Sequence, residues 1–449
     1  MKSRYDIILL FLFITVTFTF NFKTNVFSSA ASVFFDYFQK DGECLVVGRL
    51  LLTEEKGFTE HACFLGWTHP EPDVDNRVKF QFDAYQKGLE FASYEGYYSH
   101  PGMQAFLFGI IFKITGWSGL EGLNTLAWLV SFFTALAFAI FLYWVMIKWG
   151  WETTMMVFIL LIFSQWITVY GRNLFWVLSA FYIPFLTGLF WLQRGEPKSK
   201  RPLLITFLLM FGSIFIKFLF TGFEYMTTIM VMAVTPWVFY AIDRQWEIKT
   251  IIRNLMAACG GVLTGLLSGI IWLTVQVSIL KGSFYEGIDY ILWSFGKRTH
   301  GLPQYQYDHY LERSIQSSQW QVLSAYLNDH AFHVRHWFGN HIWGALSVIN
   351  FVVCIVFFIV MSYVTLSSNT IRRDEAFYRR QKALVWTLWI SLLAPLSWFI
   401  IFKGHSAIHT HMNTIVWYMP FMLFGFILTC SSGWYLIRNF WLKRKGVKE

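Results

Sequence analysis

Apolar runs of about twenty residues recur along this 449-residue chain and restrict its fold more than any other feature. Crossing a hydrocarbon core of ~30 Å takes about 20 helical residues. In lipid, only helices or closed barrels satisfy their own backbone groups. With 55% hydrophobic residues, 14% charged residues and a mean hydropathy of +0.45, the chain exceeds what a soluble domain can bury. The reading is an all-α polytopic membrane protein. Ten segments are long and apolar enough to span: Asp6–Asn25, Leu120–Ile147, Glu152–Gly171, Leu174–Gln193, Leu203–Phe220, Phe223–Ile242, Ile251–Leu280, His341–Thr365, Ala383–Phe402 and Thr414–Ile437.

Charge sets their direction. Lys2 and Arg4 precede the first span, and Lys148 follows the second. "RGEPKSKR" follows the fourth, "DRQWEIK" the sixth and "RRDEAFYRRQK" the eighth, while "RNFWLKRKGVKE" ends the chain. All fall on one side of a ten-span count, and the opposite short loops carry little beyond Arg172, Lys217 and Lys403. By the positive-inside rule the basic side is cytoplasmic, so both termini are inside, in a plasma or inner membrane. The net charge of +9 is therefore topology-setting and calls for no nucleic acid partner. Two long loops face outward. The chain divides into a membrane core over 1–280 with a first outer loop over 26–119, a second outer loop over 281–340, and terminal spans over 341–449. Within the first loop, "HPGMQAFLFGIIFKITG" is short for a span and is bounded by Pro101–Gly102 and Gly116. As a span it would invert every later loop, so it reads as a surface or re-entrant helix.

Five cysteines show no C-x-x-C spacing. Cys259, Cys354 and Cys430 read as small core residues, whereas Cys44 and Cys63 share the first outer loop, where a disulfide is open to them. The first apolar segment lacks a small-x-small cleavage site after its run and reads as an uncleaved helix.

Three acids, Asp36, Asp41 and Glu43, lie just beyond the first span in "FFDYFQKDGECLVVGRLL". Ionisable residues at a membrane surface are functional candidates. The apolar pattern after Gly42 predicts a short helix with Asp41 at its N-cap and Glu43 complementing its dipole, which is also the purely structural reading. Arg49 follows on that helix, where it can pair with an acid.

An acidic pair after the first span, an Arg-bearing apolar helix ("KDGECLVVGRLLL"), a proline-led surface helix ending in Gly ("YYSHPGMQAFLFGIIFKITG") and a second span together resemble the GT-C membrane glycosyltransferases. The similarity is to the protein O-mannosyltransferase and lipid A aminoarabinose transferase type, over about the first 225 residues. Two departures stand out: Gly42 splits the acids, and His100 precedes the proline. The resemblance implies a GT-C-like fold and transfer of a sugar from a polyprenyl-phosphate-linked donor to an outer-face acceptor (glycan, lipid or protein), with inversion. It implies a carboxylate base, taken as Asp41 with Glu43 and Asp36 as alternatives. It also implies cations that stabilise the departing phosphate. His100 joins the substrate-binding candidates.

Arg172, in "YGRN", and Lys217, in "FIKFLFTGFEY", lie at outer ends of spans. Lys217 and Glu224, seven apart, share a face if the segment is helical, and they bind phosphate or pair with each other. Snorkelling to headgroups is the plain alternative for Arg172. "KGHSAIHTHMN" packs Lys403, His405, His409 and His411 into one outer loop. On a helix His405 and His409 share a face, which makes a divalent metal conceivable, but no carboxylate or Cys spacing supports one and lipid-phosphate contact is the preferred reading. Beyond that weakly supported divalent metal, the sequence points to no cofactor. The second outer loop, "KRTHGLPQYQYDHYLERSIQSSQWQ", is rich in the Tyr, His and Gln that stack on and hydrogen-bond sugars. The main rival is a transporter or flippase, which calls for charged or broken helices near the midplane. A surface-polysaccharide polymerase or ligase calls for larger basic outer loops.

Overall fold

The computed structural model describes residues 4–70, 77–195, 200–333, 348–410 and 412–445. The chain is predominantly helical. Seven helices among the described residues are long and apolar enough to cross a membrane: Tyr5–Thr24, Gly119–Trp149, Arg201–Thr221, Met226–Asp243, Ile248–Lys281, Glu375–Ile401 and Phe421–Arg444. The protein is thus a multi-pass integral membrane protein, and these seven correspond to seven of the ten expected spans.

The other three are shorter than expected, each for a local reason. The segment expected at Glu152–Gly171 splits into Trp151–Ile162 and Gln165–Tyr170. Between them Ser164 is extended and bridges Phe332, in the segment expected as the second outer loop. The segment expected from Leu174 becomes helical only at Leu178–Gln193. Before it, the Asn173 Oδ1 accepts from the amides of Phe175 and Trp176, both at 2.9 Å, and so favours a turn over a helix. The eighth is Phe351–Ser367, N-capped by Asn350, which accepts from the Val353 amide at 3.0 Å. Residues 341–347 of that expected span lie outside the described residues.

Two other boundaries moved. The Glu375–Ile401 run starts in the basic stretch expected as a loop, because Asp374 caps it, and it is interrupted at Leu392. Pro395, three residues on, has no N–H to donate. The last segment opens as a 3-10 turn, Asn413–Tyr418, before Pro420 and the helix Phe421–Arg444. The regular structure is almost entirely helical, as expected of an all-α membrane protein. Two small antiparallel sheets occur, Leu65–His69 with Ser93–Tyr97 and His330–His333 with Val348–Asn350.

Small residues set the closest helix pairing. The helix Lys200–Thr221 packs along Ile248–Lys281, where Gly261, Gly265 and Gly269 repeat every four residues. A Cβ at Gly261 would lie 2.4 Å from the Phe207 carbonyl oxygen, and one at Gly265 2.7 Å from that of Phe211. Small residues at this spacing let two backbones approach where no hydrophobic drive separates helix from lipid.

The helix ends segregate. Lys148 pairs with Asp243 at 3.3 Å, Arg380 donates to the Lys148 carbonyl, and the Tyr240 hydroxyl donates to Gln193 at 2.6 Å. The ends expected after spans two, four and six, and the basic stretch before span nine, therefore meet at one end of the molecule. Glu224, His100 and His405 meet at the other.

Candidate active site

At that second end lies a cavity of about 360 Å³. Its ionisable lining comprises Asp41, Glu224, Lys297, Arg298, His405 and His409. Aromatic surface comes from Trp67 and Tyr97, on the two strands of the first sheet, and from Trp176 and Tyr310. The turn that shortened the expected fourth span is thus the segment that delivers Phe175 and Trp176 to the cavity wall.

Asp41 is exposed and stands in the first turn of the helix Phe38–Lys56. It does not cap a helix starting at Gly42, as expected, because the short π-helical turn Val33–Tyr37 leads directly into the helix at Phe38. Glu43 does not line the cavity. It is half-buried, and its Oε1 accepts from the Leu174 amide at 3.1 Å. Burial pushes its carboxyl up, against the pull of Arg172. Asp36 is exposed and pairs with Arg172 at 3.7 Å, while Arg172 also donates to the Phe35 carbonyl at 2.7 Å. Glu43, Asp36 and Arg172 form a cluster beside the cavity rather than in its wall. Arg49 is fully buried and pairs with no acid among the described residues; it donates to the carbonyls of Phe58 and Glu60 and pins the turn that leads into the Leu65–His69 strand.

Glu224 forms the inner floor and is 5% exposed. The helix carrying Lys217 ends at Thr221, so Lys217 and Glu224 do not share a helical face as expected. Instead Lys217 Nζ donates to the carbonyls of Gly222 at 2.9 Å and Glu224 at 2.5 Å, satisfying backbone oxygens left over at the helix end. It is buried beneath the turn and does not line the cavity. The Glu224 carboxylate lies 4.0 Å from His100 Nε2 and 3.8 Å from His405 Nε2. Burial raises the Glu224 carboxyl, with Arg298 and Lys217 opposing. Burial, with Lys217 and Arg298 adding repulsion, holds His100 well below the usual imidazole range. Burial and His409 do the same to His405. His100 is fully buried behind the wall, its ring 4.4 Å from that of Phe175.

His405 lies in the short helix Lys403–Ile408, and His409 caps its C-terminus one turn on, its amide donating to the His405 carbonyl at 3.1 Å. Their rings lie side by side, 4.6 Å apart, as the one-turn spacing leads one to expect. Lys403 is half-buried and off the cavity wall. His411 lies outside the described residues. Among the described residues, no group of three or more His, Cys, Asp or Glu is placed to hold a metal. The segment is fastened to the helix Gln319–Asn328 by the Tyr326 hydroxyl, which lies within hydrogen-bond reach of the carbonyls of Ser406 at 2.8 Å and His409 at 3.0 Å. Cys44 and Cys63 are free thiols that donate to the carbonyls of Asp41 and Phe58.

Sequence reasoning missed the two wall cations, Lys297 and Arg298. Their signal was an adjacent Lys-Arg at the end of an amphipathic run that opens the segment expected as the second outer loop. Arg298 is anchored: Nη1 donates to the Ser294 carbonyl at 2.9 Å and to the Ser294 hydroxyl, and Nη2 to the Ser99 hydroxyl at 2.6 Å. A guanidinium has five N–H donors, so two stay uncommitted. Lys297 is looser, its Nζ 4.1 Å above the Trp293 ring. Burial and the neighbouring Arg298 push its amine down to about 7, against Asp308. Trp176 Nε1 and Asn413 Oδ1, on two other lining residues, are buried with no hydrogen-bond partner among the described residues. A cavity with aromatic walls, two carboxylates, two cations and unused hydrogen-bonding capacity suits a polar, anionic ligand with many hydroxyls.

Comparison of the chain with protein-family models, with curated proteins and with solved structures finds no match.

Proposed function

We propose that this protein is a membrane glycosyltransferase of GT-C type. It moves a sugar from a polyprenyl-phosphate-linked donor to an acceptor on the extracytoplasmic face. The observation that carries this reading is the meeting of Asp41 with Lys297 and Arg298 in one cavity at the end of the molecule opposite the Lys148–Asp243–Arg380 cluster. With the basic ends cytoplasmic, the cavity opens outward and both termini lie inside. In this reading the three shorter helices complete ten crossings, with Gln165–Tyr170 extending the first of them.

The chemistry follows from the wall. The donor's phosphate rests against Arg298 and Lys297, and its sugar lies among Trp67, Tyr97 and Trp176. The acceptor hydroxyl enters past Asp41, which takes its proton as oxygen attacks the anomeric carbon. The bond from that carbon to the phosphate oxygen breaks, and the electron pair leaves on the phosphate, stabilised by the two cations. Attack opposite the leaving group inverts the anomeric centre. The rival transporter reading calls for ionisable groups along a path at the midplane. Among the described residues the buried charged or imidazole side chains are Arg49, His69, His100, Lys217, Glu224 and Arg298, all in outer segments or near a helix end, which favours the enzyme.

Asp41→Asn tests the assignment. In nanodiscs the variant binds a polyprenyl-phosphate hexose as the wild type does, yet fails to consume it in membranes that support wild-type turnover. Wild-type turnover by Asp41→Asn removes Asp41 as the base. Loss of binding alone makes it a donor contact.

A further inference from the structure

The helix Phe284–Arg298 carries the cavity's two cations at its C-terminal end and presents three distinct faces. Gly287, Ile291, Ser294 and Arg298 recur at three- and four-residue steps and are buried against protein. Phe284, Ile288, Leu292 and Phe295 recur at the same steps on a second face, with Tyr285 at its edge, and all are exposed, Phe284 at 63% and Tyr285 at 77%. Glu286 and Asp289 are exposed on the third. A helix lying on a protein in water needs only an apolar face inward and a polar face outward. Here a second apolar stripe, about 16 Å long at 1.5 Å per residue, is left exposed beside an acidic one, with only its last ring, Phe295, meeting protein edge-on at Phe402, 6.1 Å away. That three-way division belongs to a helix lying at a membrane surface.

Two observations identify what covers the stripe. The first is continuity. On the spanning helix Ile248–Lys281, Ile271, Val275 and Ile279 are exposed at four-residue steps. The chain turns at Gly282 (φ +70°), and the next helix packs back on the last turns of the spanning one. Ile291 packs with Leu273 and Val277, and a Cβ at Gly287 would lie 2.0 Å from the Ser278 hydroxyl. The exposed stripe therefore prolongs a lipid-facing surface. The second is the placement of cations on aromatic rings: Lys281 lies 5.7 Å over Tyr290 and Lys297 4.1 Å over Trp293. Such pairs mark headgroup depth, where rings and long basic chains are amphipathic anchors.

We infer that the leaflet on the cavity side of the membrane covers Phe284, Ile288, Leu292 and Phe295, so that the partner of this face is a lipid surface rather than water or a second protein. The helix then holds Lys297 and Arg298 at the level of lipid phosphates. This stands whichever reaction the cavity runs, because it uses only the faces of the helix and the adjoining span.

The test is spin labelling of the full chain in phospholipid nanodiscs. Cysteines are introduced singly by Ile288→Cys, Leu292→Cys, Glu286→Cys and Asp289→Cys in a Cys63→Ser/Cys259→Ser background, which removes the two native thiols that are not buried. All four positions are exposed, and the substitutions remove one exposed hydrogen bond, that from the Tyr305 hydroxyl to Asp289. Labels at Ile288 and Leu292 should be relaxed severalfold more by lipid-soluble oxygen than by an aqueous nickel chelate, with the order reversed at Glu286 and Asp289. Equal nickel accessibility at all four sites overturns the inference in favour of a water-covered face. Spin–spin broadening at Leu292 that grows when two chains share a nanodisc overturns it in favour of a second copy.

Discussion

Arg298 and Lys297 carry the same charge in the same wall, yet the structure ranks them differently as anion ligands. Arg298 is held by Ser294 and Ser99 before any ligand arrives, so its two remaining N–H groups are already oriented. A charge-assisted hydrogen bond is worth about 1.5–3 kcal/mol. At about 1.4 kcal/mol per tenfold, losing a single such bond in Arg298→Met weakens binding of a polyprenyl phosphate roughly 10- to 150-fold. Lys297 must first leave the Trp293 face, a contact worth about 0.5–1 kcal/mol, and it must also be protonated. Lys297→Met should therefore cost only about fivefold, near 1 kcal/mol net of that contact. Titration calorimetry of a polyprenyl phosphate into chain-loaded nanodiscs at low salt and neutral pH reads both. The reasoning is refuted if Arg298→Met binds within twofold of wild type, or if Lys297→Met is the weaker binder of the two.

Other expectations follow from the same wall and its supports. With its amine pushed down to about 7, Lys297 is charged below that pH and neutral above it, so wild-type affinity for a polyprenyl phosphate should fall between pH 6 and 8. That loss should be absent in Lys297→Met; an identical fall in the variant assigns the titration elsewhere. His100 and His405 are held below their ordinary range, so the unfolded chain binds protons near pH 6.5 that the folded chain does not, and stability drops as pH falls through that value. Glu224, with its carboxyl raised, acts oppositely. Thermal midpoints in detergent should decline from pH 7.5 to 5.5, less steeply in His405→Gln, and an unchanged slope contradicts the assignment. Gly287→Ala drives a methyl into the Ser278 hydroxyl and should cost about 1–3 kcal/mol as overpacking. Ser278→Ala should restore part of it, and purely additive losses in a double-mutant cycle would argue against that contact.

How far the sequence carried depended on whether a signal was local. Spans such as Gly119–Trp149 and Ile248–Lys281 were legible because hydropathy over twenty residues is set by composition alone. The common end shared by Lys148, Asp243 and Arg380 was legible because charge asymmetry reports topology. The break at Ser164 and the turn at Asn173–Val177 were not. The first rests on a bridge to a distant strand and the second on bonds to the Asn173 side chain, and each overrides an apolar pattern. Asp41, Glu224, His405 and His409 line the cavity, whereas Arg172, Lys217 and Lys403 do not. Each of the first two found a nearer oxygen, Arg172 at Phe35 and Lys217 at Gly222, and carbonyl partners leave no trace in residue type. Lys297 and Arg298 escaped notice because their chemistry depends on Ser99, about 200 residues away, and on the Trp293 ring one turn back.

The most direct measurement is a structure of the chain in nanodiscs with a bound polyprenyl-phosphate hexose. The account predicts the phosphate within hydrogen-bonding reach of Arg298, the sugar inside the cavity, and the anomeric carbon turned toward the side that Asp41 faces. A donor whose phosphate lies away from Lys297 and Arg298, or whose sugar is out of reach of Asp41, contradicts it.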